Sequence, residues 1–104
     1  MSDFVKTTAG AVGEKAILTN GLTLVTGGTG IADLTLAAPS PGYEATIRIA
    51  SLSSGDVVVT CATGITLNGT ATIATFNAAE DTLVLVYNTA KNWAVKTNIS
   101  VVLS

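Results

Sequence analysis

The six residues Thr82–Tyr87 constrain this chain more than any other stretch. Side chains alternate across a strand, so Leu83, Leu85 and Tyr87 share one face while Val84 and Val86 share the other. A strand that is apolar on both faces needs cover on both sides. A 104-residue chain rarely supplies two covers, which points to a second sheet, a neighbouring subunit, or both.

The rest of the sequence repeats the theme of short strands and tight turns. From Tyr43 the period is two, with Ala45, Ile47 and Ile49 expected inward and Glu44, Thr46 and Arg48 outward. Val57–Cys61 is a continuous apolar run typical of a strand covered on both faces, Thr63-Gly64 breaks it, and Ile65-Thr66-Leu67 resumes. Asn20-Gly21 and Asn68-Gly69, each between apolar runs, predict hairpins, because a type I′ turn needs two residues at positive φ. Pro39-Ser40-Pro41-Gly42 and Ser53-Ser54-Gly55-Asp56 predict sharp reversals. Asn77–Asp81 has room for one helical turn at most, and Asp81–Leu103 reads as three strands joined by two tight turns. Turn signals recur about every 8–12 residues, the spacing of a sandwich or barrel. The expected fold is therefore all-β: a small antiparallel β-sandwich or jelly-roll-like barrel of about eight short strands. Residues 1–13, small, polar and rich in Gly, Ala and Thr, with Phe4 and Val5 the one sizeable apolar pair, read as an N-terminal arm, mobile or laid against another subunit. Residues 14–104 read as a single β domain.

Composition narrows the chemistry. Apolar residues make up 48% of the chain but aromatics only 5%, so Val, Ile, Leu and Ala must build the core. Charged residues are 12%, about half the usual share for a soluble domain. The net charge is −2, and Lys6, Lys15, Arg48, Lys91 and Lys96 are scattered singly, which leaves no basic footprint for nucleic acid. No apolar run approaches the ~20 residues of a membrane-spanning helix. Met1–Thr8 has neither the basic start nor the apolar run of a secretory signal, and Cys61 stands alone, so folding in a reducing cytosol is expected. Within V-V-V-T-C the Cys61 thiol reads as an inert core group.

No histidine is present, which removes Ser-His and Cys-His catalysis and the commonest transition-metal ligand. No calcium-loop pattern occurs, and Glu80 and Asp81 read as turn carboxylates. Gly28 and Gly30 satisfy two positions of a dinucleotide-binding G-x-G-x-x-G, but the third falls on Asp33, whose carboxylate would repel phosphate. The strand-like Leu34–Leu36 and then Pro39 follow, not a helix. No enzymatic activity, cofactor or metal is expected. Asn68-Gly69-Thr70 and Asn98-Ile99-Ser100 match glycosylation sequons, read as accidental without a secretory signal. Tyr87 and Trp93 read as core or interface anchors. The competing reading makes them a glycan-stacking pair.

The C-terminal four-fifths also carries a resemblance. Gly42–Ile49, Val57–Gly64, the element T-I-A-T-F-N-A-A-E-D-T-L-V-L-V-Y (Thr72–Tyr87), K-N-W-A-V-K-T-N (Lys91–Asn98) and a short apolar end at Val101–Leu103 resemble small virion proteins of tailed phages, notably those infecting cyanobacteria and marine bacteria. The pattern departs at Ile99, where a glycine is expected before the last strand. The resemblance implies a capsid decoration (cement) protein. Such a protein folds in the host cytoplasm, sits on the capsid surface as a homo-oligomer, a trimer first of all, and has the major capsid protein as its partner. Phe4, Val5, Tyr87 and Trp93 are then the candidate oligomer or capsid contacts. The alternative is a receptor- or glycan-binding fibre module of a virion.

Overall fold

The computed structural model describes residues 5–9, 17, 19–26, 32–37, 42–52, 55–87 and 91–104. These form ten strands and no helix: β1 (Val5–Ala9), β2 (Gly21–Thr26), β3 (Ala32–Leu36), β4 (Glu44–Ser51), β5 (Val57–Cys61), β6 (Thr66–Leu67), β7 (Ile73–Phe76), β8 (Thr82–Tyr87), β9 (Asn92–Ile99) and β10 (Val102–Leu103). A six-stranded sheet runs β1-β2-β4-β8-β9-β6, and a four-stranded sheet runs β10-β7-β5-β3. One apolar cluster joins the two layers. The larger sheet contributes Val25, Ile47, Ile49, Leu83, Leu85 and Trp93, and the smaller contributes Leu34, Leu36, Val57, Val59 and Phe76. This is a small β-sandwich, the arrangement in which two half-apolar sheets cover one another.

The sheets are mixed, not antiparallel throughout. β1–β2, β2–β4, β3–β5 and β6–β9 are parallel pairs, while β4–β8, β8–β9, β5–β7 and β7–β10 are antiparallel. The cause is the path of the chain. From β2 to β5 successive strands alternate between the sheets. The chain therefore makes a full turn around the core before it re-enters a sheet, and arrives running in its earlier direction. A parallel neighbour needs such a long crossover, here through the opposite layer.

That winding also decides the fate of the two Asn-Gly signals. Asn68 (φ 52) and Gly69 (φ 88) both take the left-handed backbone. Leu67 and Ala71 exchange backbone hydrogen bonds in both directions, at 2.6 and 3.1 Å, closing a tight turn on a single bridge. Beyond it β6 joins the larger sheet and β7 the smaller, so the expected hairpin ladder does not form. Asn20-Gly21 forms no hairpin. Both edges of β2 are occupied by parallel partners, and the Ile17 N–H donates instead to Thr35 O at 2.9 Å, towards the other sheet. Asn20 Oδ1 accepts from Glu44 N–H at 3.3 Å, so the residue ties β2 to the start of β4.

Inward positions follow the expected alternation where it was clearest. Ala45, Ile47 and Ile49 are buried on β4, as are Leu83, Leu85 and Tyr87 on β8. Val57–Cys61 alternates too, with Val58 half-buried and Thr60 exposed, so this strand is covered mainly on one face. Within the stretch expected as an arm, Val5–Ala9 lies in register beside β2 as an outer strand of the larger sheet. The glycine-rich turn with Gly28 and Gly30, the Pro39–Pro41 reversal, Ser53-Ser54 and the turn between β8 and β9 lie outside the described residues. No helix among the described residues is long and apolar enough to cross a membrane.

Candidate interaction surface

The four candidate contact residues fall in different places. Phe4 lies outside the described residues, and Val5 opens β1 opposite Leu22. Tyr87 and Trp93 face each other across the β8–β9 pair, with ring centroids 5.1 Å apart and planes at 64°. That edge-to-face geometry suits the ring quadrupoles. Trp93 is 0% exposed and Tyr87 7% exposed in the single chain. Both rings are therefore spent on the interior. Trp93 Nε1 has no hydrogen-bond partner among the described residues, a penalty that burial of so large a ring offsets.

Among the described residues, the buried carboxylate and the thiol are likewise engaged. Asp81 is buried, and its Oδ2 accepts from the N–H groups of Asn77 and Ala78 at 3.0 and 3.2 Å. The carboxylate thereby holds closed the turn that precedes β8. The backbone of the same turn docks on β4, with Glu80 N–H donating to Ile49 O at 2.8 Å and Ile49 N–H to Asp81 O at 3.0 Å. Cys61 faces the core, and burial pushes its thiol up to about 11, away from the nucleophilic thiolate. Among the described residues no three His, Cys, Asp or Glu side chains group as a metal site. Both sequon asparagines have structural work. Asn68 Oδ1 accepts from Val95 N–H at 3.2 Å, and Asn98 clamps Val101 through both its side-chain atoms at 2.8 and 3.0 Å.

The register defines the outer surface of the larger sheet. On the outer face of the larger sheet three rows cross β4, β8 and β9: Glu44–Val86–Ala94, Thr46–Val84–Thr97 and Arg48–Thr82–Ile99. Leu22 and Leu24 on β2 extend the second and third rows. Leu22, Leu24, Val84, Val86 and Ala94 are half-buried, and Ile99 is 53% exposed. The second apolar face of β8 thus looks outward, away from the core. Lys96, the extra residue in a bulge of β9 opposite Val84 and Leu85, reaches over β8 to Glu44 at 3.3 Å. The ion pair is exposed and contributes little stability. At the other end of the face Arg48, Thr82 and Ile99 line an open groove of about 470 Å³, rimmed by Ala78–Asp81 and Ser100.

Sequence reasoning found β8's two apolar faces but not the role of Asp81, whose place beside Glu80 gave no hint of burial. No family model matches the chain, and no curated protein matches it.

Proposed function

We propose that this chain is a virion decoration protein that binds the outer surface of a capsid as a homo-oligomer, trimeric as the resemblance implies, and stabilises the shell by non-covalent contact. The reading is carried by the motif run from Gly42 to Leu103. The chain's chemistry agrees with it: the buried carboxylate and the thiol serve the fold, and the larger sheet offers a broad, partly apolar face. Such a face suits adhesion between proteins, where a modest apolar centre with charges at its margins is the usual make-up. The glycan-binding alternative loses its motivation, because Tyr87 and Trp93 lie inside the core.

The test uses capsids lacking the protein. Adding purified chain should give stoichiometric binding and raise the temperature at which the shells release their contents. Saturating protein that neither sediments with the shells nor changes that temperature would end the decoration reading.

A further inference from the structure

We propose that the outer face of the six-stranded sheet is a self-association surface, on which a second copy of this chain docks across a two-fold axis perpendicular to β4. The charge pattern of the face selects this axis. Glu44 and Arg48 lie on the same face of one strand, at the first and third rows, with Thr46 between them. Two identical faces can be laid together by a two-fold axis along the strands or by one across them. The first, run along β4, sets Glu44 against Glu44 and Arg48 against Arg48 of the other copy, which repel. Run along β8, it lays them on Ala94 and Ile99 of the other copy and leaves both charges without a partner across the contact. The second reverses the strand direction, so that each Glu44 meets the other copy's Arg48, twice by symmetry.

The apolar positions agree with the second choice. With the strands reversed and the lateral order kept, Leu22 meets Leu22, Val84 meets Val84, and Ala94 meets the exposed Ile99. Packed sheets cross at about 30°, which displaces residues two places from the axis by roughly 3–4 Å, within the reach of glutamate and arginine side chains across a ~10 Å sheet spacing. Lys96 already neutralises part of Glu44, so each Glu44 is flanked by two cations in the pair.

The face measures about 20 Å by 20 Å from strand and residue spacings, so pairing removes on the order of 800 Å² over two copies. That is the range of weak, reversible association, with a Kd on the order of 10–100 µM. The contact is separate from the decoration reading, since a two-fold contact pairs copies and stops, whereas a three-fold ring needs another surface.

Two charge reversals decide the matter. Glu44→Arg and Arg48→Glu should each weaken self-association at least tenfold in sedimentation equilibrium, because each places two like pairs in the contact. An equimolar mixture of the two variants should regain it, since every cross-copy pair is then opposite in sign. Both sites lie at the surface, and circular dichroism matching the parent chain establishes that the variants fold. Thr46→Lys, which sets two cations on the axis, is the independent second variant and should weaken pairing similarly. A parent chain that stays monomeric at 500 µM (a concentration well above the expected ~10–100 µM Kd), variants that associate like the parent, or a mixture that fails to pair overturns the proposal. A three-fold species indifferent to all three substitutions would overturn it too, while leaving the decoration reading standing.

Discussion

Asp81 is the residue whose replacement should report most directly on how the turn before β8 is held. Its Oδ2 accepts two backbone N–H groups, at 3.0 and 3.2 Å, in a side chain that is almost wholly buried. Hydrogen bonds to a charged acceptor contribute roughly 1.5–3 kcal/mol each. Asn77 and Ala78 are exposed, so their N–H groups recover water when the carboxylate is removed, and the lower part of that range applies. Asp81→Ala should therefore cost about 2–3 kcal/mol. Asp81→Asn keeps an oxygen acceptor in place and gives up only the charge, so it should cost about 1 kcal/mol. In urea, with a slope of about 1–1.5 kcal/mol per molar for a domain of this size, the midpoint should fall by about 2 M for the alanine variant and by under 1 M for the asparagine variant. An alanine variant within 0.5 kcal/mol of the parent would refute the reasoning outright. Equal losses for both variants would show that charge, not the placement of an acceptor, holds the turn.

Other consequences are quickly checked. Ser100 adopts φ 63 at the corner between β9 and β10, so Ser100→Gly should relieve left-handed strain and raise stability by about 0.5 kcal/mol in the same urea titration. Asn98→Ala removes both arms of the clamp on Val101 and should cost about 1–2 kcal/mol, read as a lower melting temperature. Burial raises the Cys61 thiol from 9.0 to about 11, so the folded state holds its proton more tightly than the unfolded chain. The stabilising contribution is complete below pH 9 and is lost as pH climbs towards about 11; a Cys61→Ala variant should lack this alkaline decline in a melting series. Trp93→Ala should cost about 3–5 kcal/mol and abolish the near-ultraviolet circular dichroism of the Tyr87–Trp93 pair.

Much of the architecture was legible because it rests on local periodicity. The period of two from Glu44 onward fixes which residues of β4 point inward, and burial of Ala45, Ile47 and Ile49 follows it. Pairing direction was not legible, for a physical reason. Leu22 pairs with Thr46, and Thr66 with Asn92, across stretches whose own residues carry no trace of that partner. Asn68-Gly69 and Asn20-Gly21 make the point together. The dipeptide specifies a backbone bend, but whether the flanking runs zip together depends on which edges other strands have already taken. The expected glycine before the last strand is a similar near miss. The chain does need a left-handed residue there, and Ser100, one place later than Ile99, supplies it. Of the candidate surface, the outward valines of β8 could be read from the sequence. The cross-sheet rows that place Glu44 and Arg48 among them could not.

The strand that joins the two halves of the larger sheet, β8, begins only at Thr82, and the smaller sheet is completed by β10, with Ser104 N–H donating to Ile73 O at 2.8 Å. During synthesis the ribosome therefore releases three parallel ribbons and their crossovers well before the piece that locks them arrives. Greasy surface stays open to the cell until Leu103 has emerged. The two sheets cannot close before β10 is free to pair with β7, and a chaperone that shields nascent β-rich segments has its window before that moment.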